Sequence, residues 1–155
     1  MSRATDSGII RFQDGEIHYE LPNGGWIVPV SAIRVIGEHT DDRGPYIDDY
    51  FLIFLTDCDA FEASFYAEGQ EQFLHDLSYF LCVSLSLELA NSTDYNSRVI
   101  WPPDLTGEPL FDYSRVKRHD GLIPRLKDKW FPQISRKLTK PVRNKLTLTS
   151  YSCGK

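Results

Sequence analysis

Apolar residues come in short runs over the first third of the chain, and a helical period sets in only near residue 70. Gly8-Ile-Ile-Arg-Phe12 is β-prone, and Asp14-Gly15 is a hairpin signal because Gly accepts the positive φ such a turn requires. Glu16 to Leu21 then alternates polar and apolar, as a half-buried strand does. Pro22-Asn23-Gly24-Gly25 is the next turn, ahead of Trp26-Ile-Val-Pro-Val30. Pro29 donates no ladder hydrogen bond, which puts that strand at an edge or ends it there. Ala32 to Ile36 continues in β-prone residues, and Glu38 to Asp49 reads as a loop rich in Asp, Gly and Pro. Tyr50-Phe-Leu-Ile-Phe-Leu55 is the most apolar run, and so the candidate central strand. Asp57-Cys58-Asp59 turns the chain, and Ala60 to Tyr66 completes a hairpin.

Phe73, Leu77, Phe80 and Leu81 recur at helical spacing while Glu71, Gln72, His75 and Asp76 take other faces, which predicts a helix over about Gln70 to Leu81. The next stretch supports two periods at once. Leu81, Val83, Leu85, Leu87 and Leu89 alternate with polar residues, as in a strand. Leu77, Leu81, Leu85 and Leu89 also keep four-residue spacing, as in a longer helix. No turn residue separates the two readings, which favours the longer helix. Asn91 to Asp94 stops the element, and Trp101-Pro-Pro-Asp104 and Gly107-Glu-Pro109 mark irregular chain anchored by Trp101 and Phe111. From Arg115 onward Pro124, Pro132 and Pro141 divide the chain into short pieces.

These elements predict an α+β fold: an antiparallel sheet or partly open barrel of about six short strands, then an amphipathic helix, then an irregular basic C-terminal extension. Residues 1–114 form the expected domain, and 115–155 the extension docked on it. Over residues 8–90, short strands joined by tight turns and followed by one helix resemble a pleckstrin-homology-type barrel in their order. Members that bind phosphoinositides carry basic residues between the first two strands. Here that loop is Gln13-Asp14-Gly15, which repels phosphate, so headgroup binding at this position does not follow from the resemblance.

Charge changes the picture most. The 155 residues carry a formal −5, but residues 1–114 hold 5 basic and 20 acidic side chains, net −15, and residues 115–155 hold 12 basic and 2 acidic, net +10. A hydrophobic share of 41% suffices for a sizeable core. No signal-peptide pattern opens the chain, and its longest apolar windows are too short or too polar to span a bilayer, so a cytoplasmic location is expected. Cys58, Cys82 and Cys153 show neither disulfide-framework nor zinc-site spacing, and Cys58 and Cys82 are expected to be small buried side chains.

Candidate chemistry is sparse. Glu38, His39, Asp41, Asp42, Asp48 and Asp49 form the densest polar cluster. Converging carboxylates suit a hard cation, and a histidine beside them suits general-base work. The calcium-loop order is absent, however, and a solvated acidic loop is the plainer reading. His18, His75 and His119 show no metal-binding pairing, and no nucleophile elbow or phosphate-cradling loop is present, so no catalytic residue, metal or cofactor is assigned. Arg98, one of the five basic residues of the acidic part, suits a bidentate anion contact or, more simply, an internal ion pair.

Leu122, Leu126, Trp130, Ile134, Leu138, Val142 and Leu146 recur every four residues in the tail, among basic side chains that include Arg125, Lys129, Arg136 and Lys137. Such a stripe suits an anionic membrane or nucleic acid, or docking on the acidic body. The leading expectation is a non-catalytic interaction or regulatory module that binds a protein partner through an acidic, aromatic-bearing surface, the general character of bacterial immunity proteins that neutralise basic toxins. The alternatives are a metal-dependent or acid/base enzyme centred on Glu38–Asp49, and membrane or nucleic-acid attachment through the tail.

Overall fold

A computed structural model describes residues 7–115 and 134–147. Over these residues the fold is α+β, with three antiparallel sheets that do not close into a barrel. The first sheet is a meander of β1 (Ile9–Gln13), β2 (Glu16–Leu21) and β3 (Gly24–Pro29). Asp14 and Gly15 both take positive φ in the β1–β2 turn, and Pro29 lies on the edge strand β3. A 3-10 turn at Val30–Ala32 leads into the second sheet, ordered β6-β5-β4-β7. Its strands are β4 (Ile33–Thr40), β5 (Tyr50–Thr56), β6 (Ala60–Ser64) and β7 (Asn96–Trp101), with the apolar β5 inside as expected. Helix α1 spans Gln70–Leu81, the range predicted from its periodicity. A third sheet pairs β8 (Phe111–Arg115) with β9 (Ile134–Leu138), and α2 (Lys140–Thr147) follows.

The second sheet is buried on both faces, so its strands alternate between two cores. Ile36, Leu52, Phe54 and Ile100 point toward the first sheet and toward Phe73 and Leu77 of α1. Val35, Ile53, Leu55 and Val99 point toward Leu110 and Phe111, where Val142 of α2 is also buried. Gly37 makes this second core possible. A Cβ there would lie 2.7 Å from Leu110 Cδ2 and 3.2 Å from the Arg98 carbonyl. Gly69 opens α1 at φ +84°, and a side chain there would meet the Ile10 carbonyl at 2.7 Å. It can thereby sit against β1, whose Ile10 amide donates to the Glu68 carbonyl at 2.9 Å.

The structure corrects several expectations. The longer helix does not form, because α1 ends where Cys82 turns left-handed at φ 56°. Residues 83–89 run extended without joining a ladder, and the period of two prevails: Val83, Leu85, Leu87 and Leu89 are half-buried while Ser84, Ser86 and Glu88 face solvent. Glu38 and His39 lie not in a loop but on β4, and the loop proper is 41–49. Strands β7 and β8 form where the sequence pattern predicts irregular chain or no element. In the tail, Ile134 and Leu138 lie on a strand rather than a helical stripe, and Pro141 sits in the first turn of α2, where its missing N–H costs nothing. Arg125, Lys129, Trp130, His119 and Cys153 lie outside the described residues.

The cysteine expectation is corrected as well. Cys58 is exposed in the turn after β5 and is disulfide-bonded, and Cys82 is exposed with a free thiol. The turn places Cys58 at a solvent-facing tip, where its amide donates to Thr56 Oγ1 at 3.3 Å.

Candidate functional site

Adjacent residues on a strand point to opposite faces, and this separates Glu38 from His39. Glu38 is fully buried on the face toward α1. Its carboxyl accepts the Tyr50 hydroxyl, the Glu88 amide at 2.8 Å and the Leu89 amide at 3.4 Å. Arg98, opposite it on β7, reaches Glu38 Oε1 at 3.3 Å, the Ser86 carbonyl at 2.9 Å and Glu88 Oε2 at 3.4 Å. Arg98 thus makes an internal ion pair, and Glu38 anchors the extended 83–89 segment. Burial, and then the Glu38 carboxyl beside it, hold the Tyr50 phenol well above its ordinary range.

His39 faces the other core and lines a cavity of about 280 Å³ with Asp41, Arg43, Phe51, Glu62, Tyr95, Tyr113 and Arg136. Its ring stacks on Phe51 at 5.3 Å and meets the edge of Phe111 at 5.4 Å. Glu62 on β6 lies 3.4 Å from His39 Nε2 and accepts Arg136 Nη2 at 2.5 Å, and the Arg136 guanidinium covers the Phe111 ring at 4.8 Å. Burial raises the Glu62 carboxyl, but His39 and then Arg136 outweigh it and hold the group below its ordinary value. Arg43 pairs with Asp41 at 2.6 Å and lies over Phe51 at 5.6 Å.

The remaining acidic residues tie down the loop. Asp48 accepts Ser7 Oγ at 3.2 Å and Ser64 Oγ at 2.6 Å, and Asp49 accepts the Tyr66 hydroxyl at 2.8 Å. Asp42 is exposed near Tyr95, whose phenol is raised by burial and then by Asp42. Of the six clustered residues, therefore, the cavity gathers His39 and Asp41, whereas Glu38, Asp48 and Asp49 have separate partners. Among the described residues no group of three or more His, Cys, Asp and Glu side chains could hold a metal ion. The anchors that sequence reasoning missed in this cavity, Glu62, Phe51, Tyr95 and Tyr113, come from separate strands and the β7 approach. The sequence pattern marks Arg136 only as a tail contact, and Lys137 beside it is exposed.

A second feature lies at the C-terminal end of α1. Tyr79 is 84% exposed and Phe80 50% exposed, and with His75, Cys82 and Val83 they line an open hollow of about 840 Å³. Phe80 rests on Phe12 at 5.1 Å, beside the Asp14–Gly15 turn. Among the described residues no Lys or Arg lines the hollow, and Asp76 stands next to His75 on its flank. Among the described residues no helix is long and apolar enough to cross a membrane. The chain matches no protein-family model, no curated protein and no solved structure.

Proposed function

We propose that this protein is a non-catalytic interaction module that docks a basic protein partner on the aromatic shelf at the end of α1. The observation that carries this reading is the exposure of Tyr79 and Phe80 side by side. Large exposed aromatics bring much contact area for little lost rotamer freedom, and they are typical anchors of interfaces. The shelf is rigid, because α1 is fixed by Phe73 and Leu77 in the core and Phe80 leans on Phe12. Its setting is acidic: Asp14 and Asp76 flank it, within a 1–114 segment of net −15. Such a field speeds the encounter with a positively charged surface and rejects an acidic one. An immunity-protein-like capping of a basic protein is the form of docking this charge favours.

The internal pairings support the same reading. Arg98, Arg43 and Arg136 each hold a carboxylate within the molecule, so the polar cluster around β4 serves cohesion, and the aromatic shelf is left facing solvent.

The test is retention of proteins from an extract of the source organism on the wild-type chain and on a Tyr79→Ser, Phe80→Ser variant with an unchanged circular dichroism spectrum. A basic protein held by the wild type, released by salt and weakened about tenfold or more on the variant is the expected result. Equal retention on the two proteins overturns the reading.

A further inference from the structure

We infer that the 41–49 loop is a preorganised docking knob that presents Tyr46 and Ile47 to an apolar pocket, rimmed by Lys or Arg, on a protein partner. This rests on the reading of the chain as a docking module and adds a second contact element to it. Tyr46 is 93% exposed and Ile47 60%, at the tip of a loop whose two ends are pinned by Asp41, Asp48 and Asp49. The Asp41 amide donates to the Asp49 carbonyl at 2.9 Å and closes the loop at its base. Asp41 then turns back to accept the Arg43 amide at 3.0 Å and its Nε at 2.6 Å. Asp48 is held by Ser64 at 2.6 Å, and Asp49 by Tyr66 at 2.8 Å.

The acidic cluster that looks like a chemical site in the sequence is thus the scaffold of the loop. Its hydrogen bonds fix backbone that carries two large apolar side chains into water, where they gain nothing by burial. A rigid loop loses little freedom on binding, so holding the tip in place lowers the cost of docking it. Charge selects the pocket. Arg43 is already matched to Asp41, which leaves the exposed Asp42 together with Asp48 and Asp49 to give the knob a negative collar. An apolar pocket with basic groups at its rim complements both the tip and the collar.

The test replaces Tyr46 with the photo-crosslinking residue p-benzoylphenylalanine in the full chain, in the cells that make it, and separately replaces Tyr79 in the same way. The expected result is a protein adduct at position 46 whose mapped site is an apolar pocket bordered by Lys or Arg. Its yield should fall about tenfold when Ile47→Ser or Asp42→Lys is added. An adduct to lipid, nucleic acid or an acidic protein surface overturns the inference, and so does a yield indifferent to those substitutions. An adduct at 79 with none at 46 overturns the knob and leaves the docking module standing, whereas silence at both positions overturns the two together.

Discussion

The Arg98 guanidinium on β7 meets the fully buried Glu38 carboxyl on β4 at 3.3 Å, and through Ser86 and Glu88 the same pair fastens the chain that follows α1. Removing one partner strands a buried charge, which costs about 3–5 kcal/mol. Arg98→Met is therefore expected to lower the stability read by urea denaturation by that amount. Arg98→Met combined with Glu38→Leu should recover part of the loss, since two apolar groups leave no orphaned charge, although the Glu88 and Leu89 amides then lose their acceptor.

Tyr50 gives an alkaline signature. Burial first, and then Glu38, raise its phenol above the ordinary value of 10.0, so the fold favours the neutral form. The resulting stability is fully present below pH 10.0 and is lost as pH rises beyond it. In a phenolate absorbance titration one tyrosine should ionise only as the protein unfolds, and Tyr50→Phe should remove that late step.

Glu62 gives the opposite sign. His39 and Arg136 overcome the burial of its carboxyl and hold it below the ordinary value of 4.5, so the stability it contributes is present above that value and is lost as pH falls through the lowered one. Glu62→Gln should flatten the acid limb of a stability-against-pH curve, with Arg136→Ala producing part of the same flattening. An unaltered acid limb would show that the His39–Glu62–Arg136 contacts carry no such coupling.

The two ends of α1 should respond in opposite directions. Cys82 adopts a left-handed conformation that costs a residue with a side chain roughly 1–2 kcal/mol, so Cys82→Gly should raise the denaturation midpoint modestly. Gly69→Ala combines a φ of +84° with a 2.7 Å clash against the Ile10 carbonyl, and should lower stability by more than about 1 kcal/mol.

Local signals in the sequence found the early strands and the span of α1, because a hairpin turn or an apolar stripe is written in neighbouring residues. The 83–89 segment was ambiguous because its leucines satisfy two periods at once. Glu38, about fifty residues upstream, decides between them by binding the Glu88 and Leu89 amides. The His39 cavity was legible only in part, since its partners arrive from β6 and β9 and share no spacing with β4. Phe80 belongs to the apolar stripe by periodicity, yet α1 buries Phe73 and Leu77 and rotates Phe80 toward solvent against Phe12. Its exposure is a property of the packing, which no stripe in the sequence records.

Amide hydrogen exchange on the complex with the basic protein retained by the wild-type chain tests the central claim most directly. Docking on the aromatic shelf predicts slowed exchange over residues 75–84, with the strands around the His39 cavity unchanged. Protection confined to the cavity, with 75–84 exchanging as in the free protein, would contradict it.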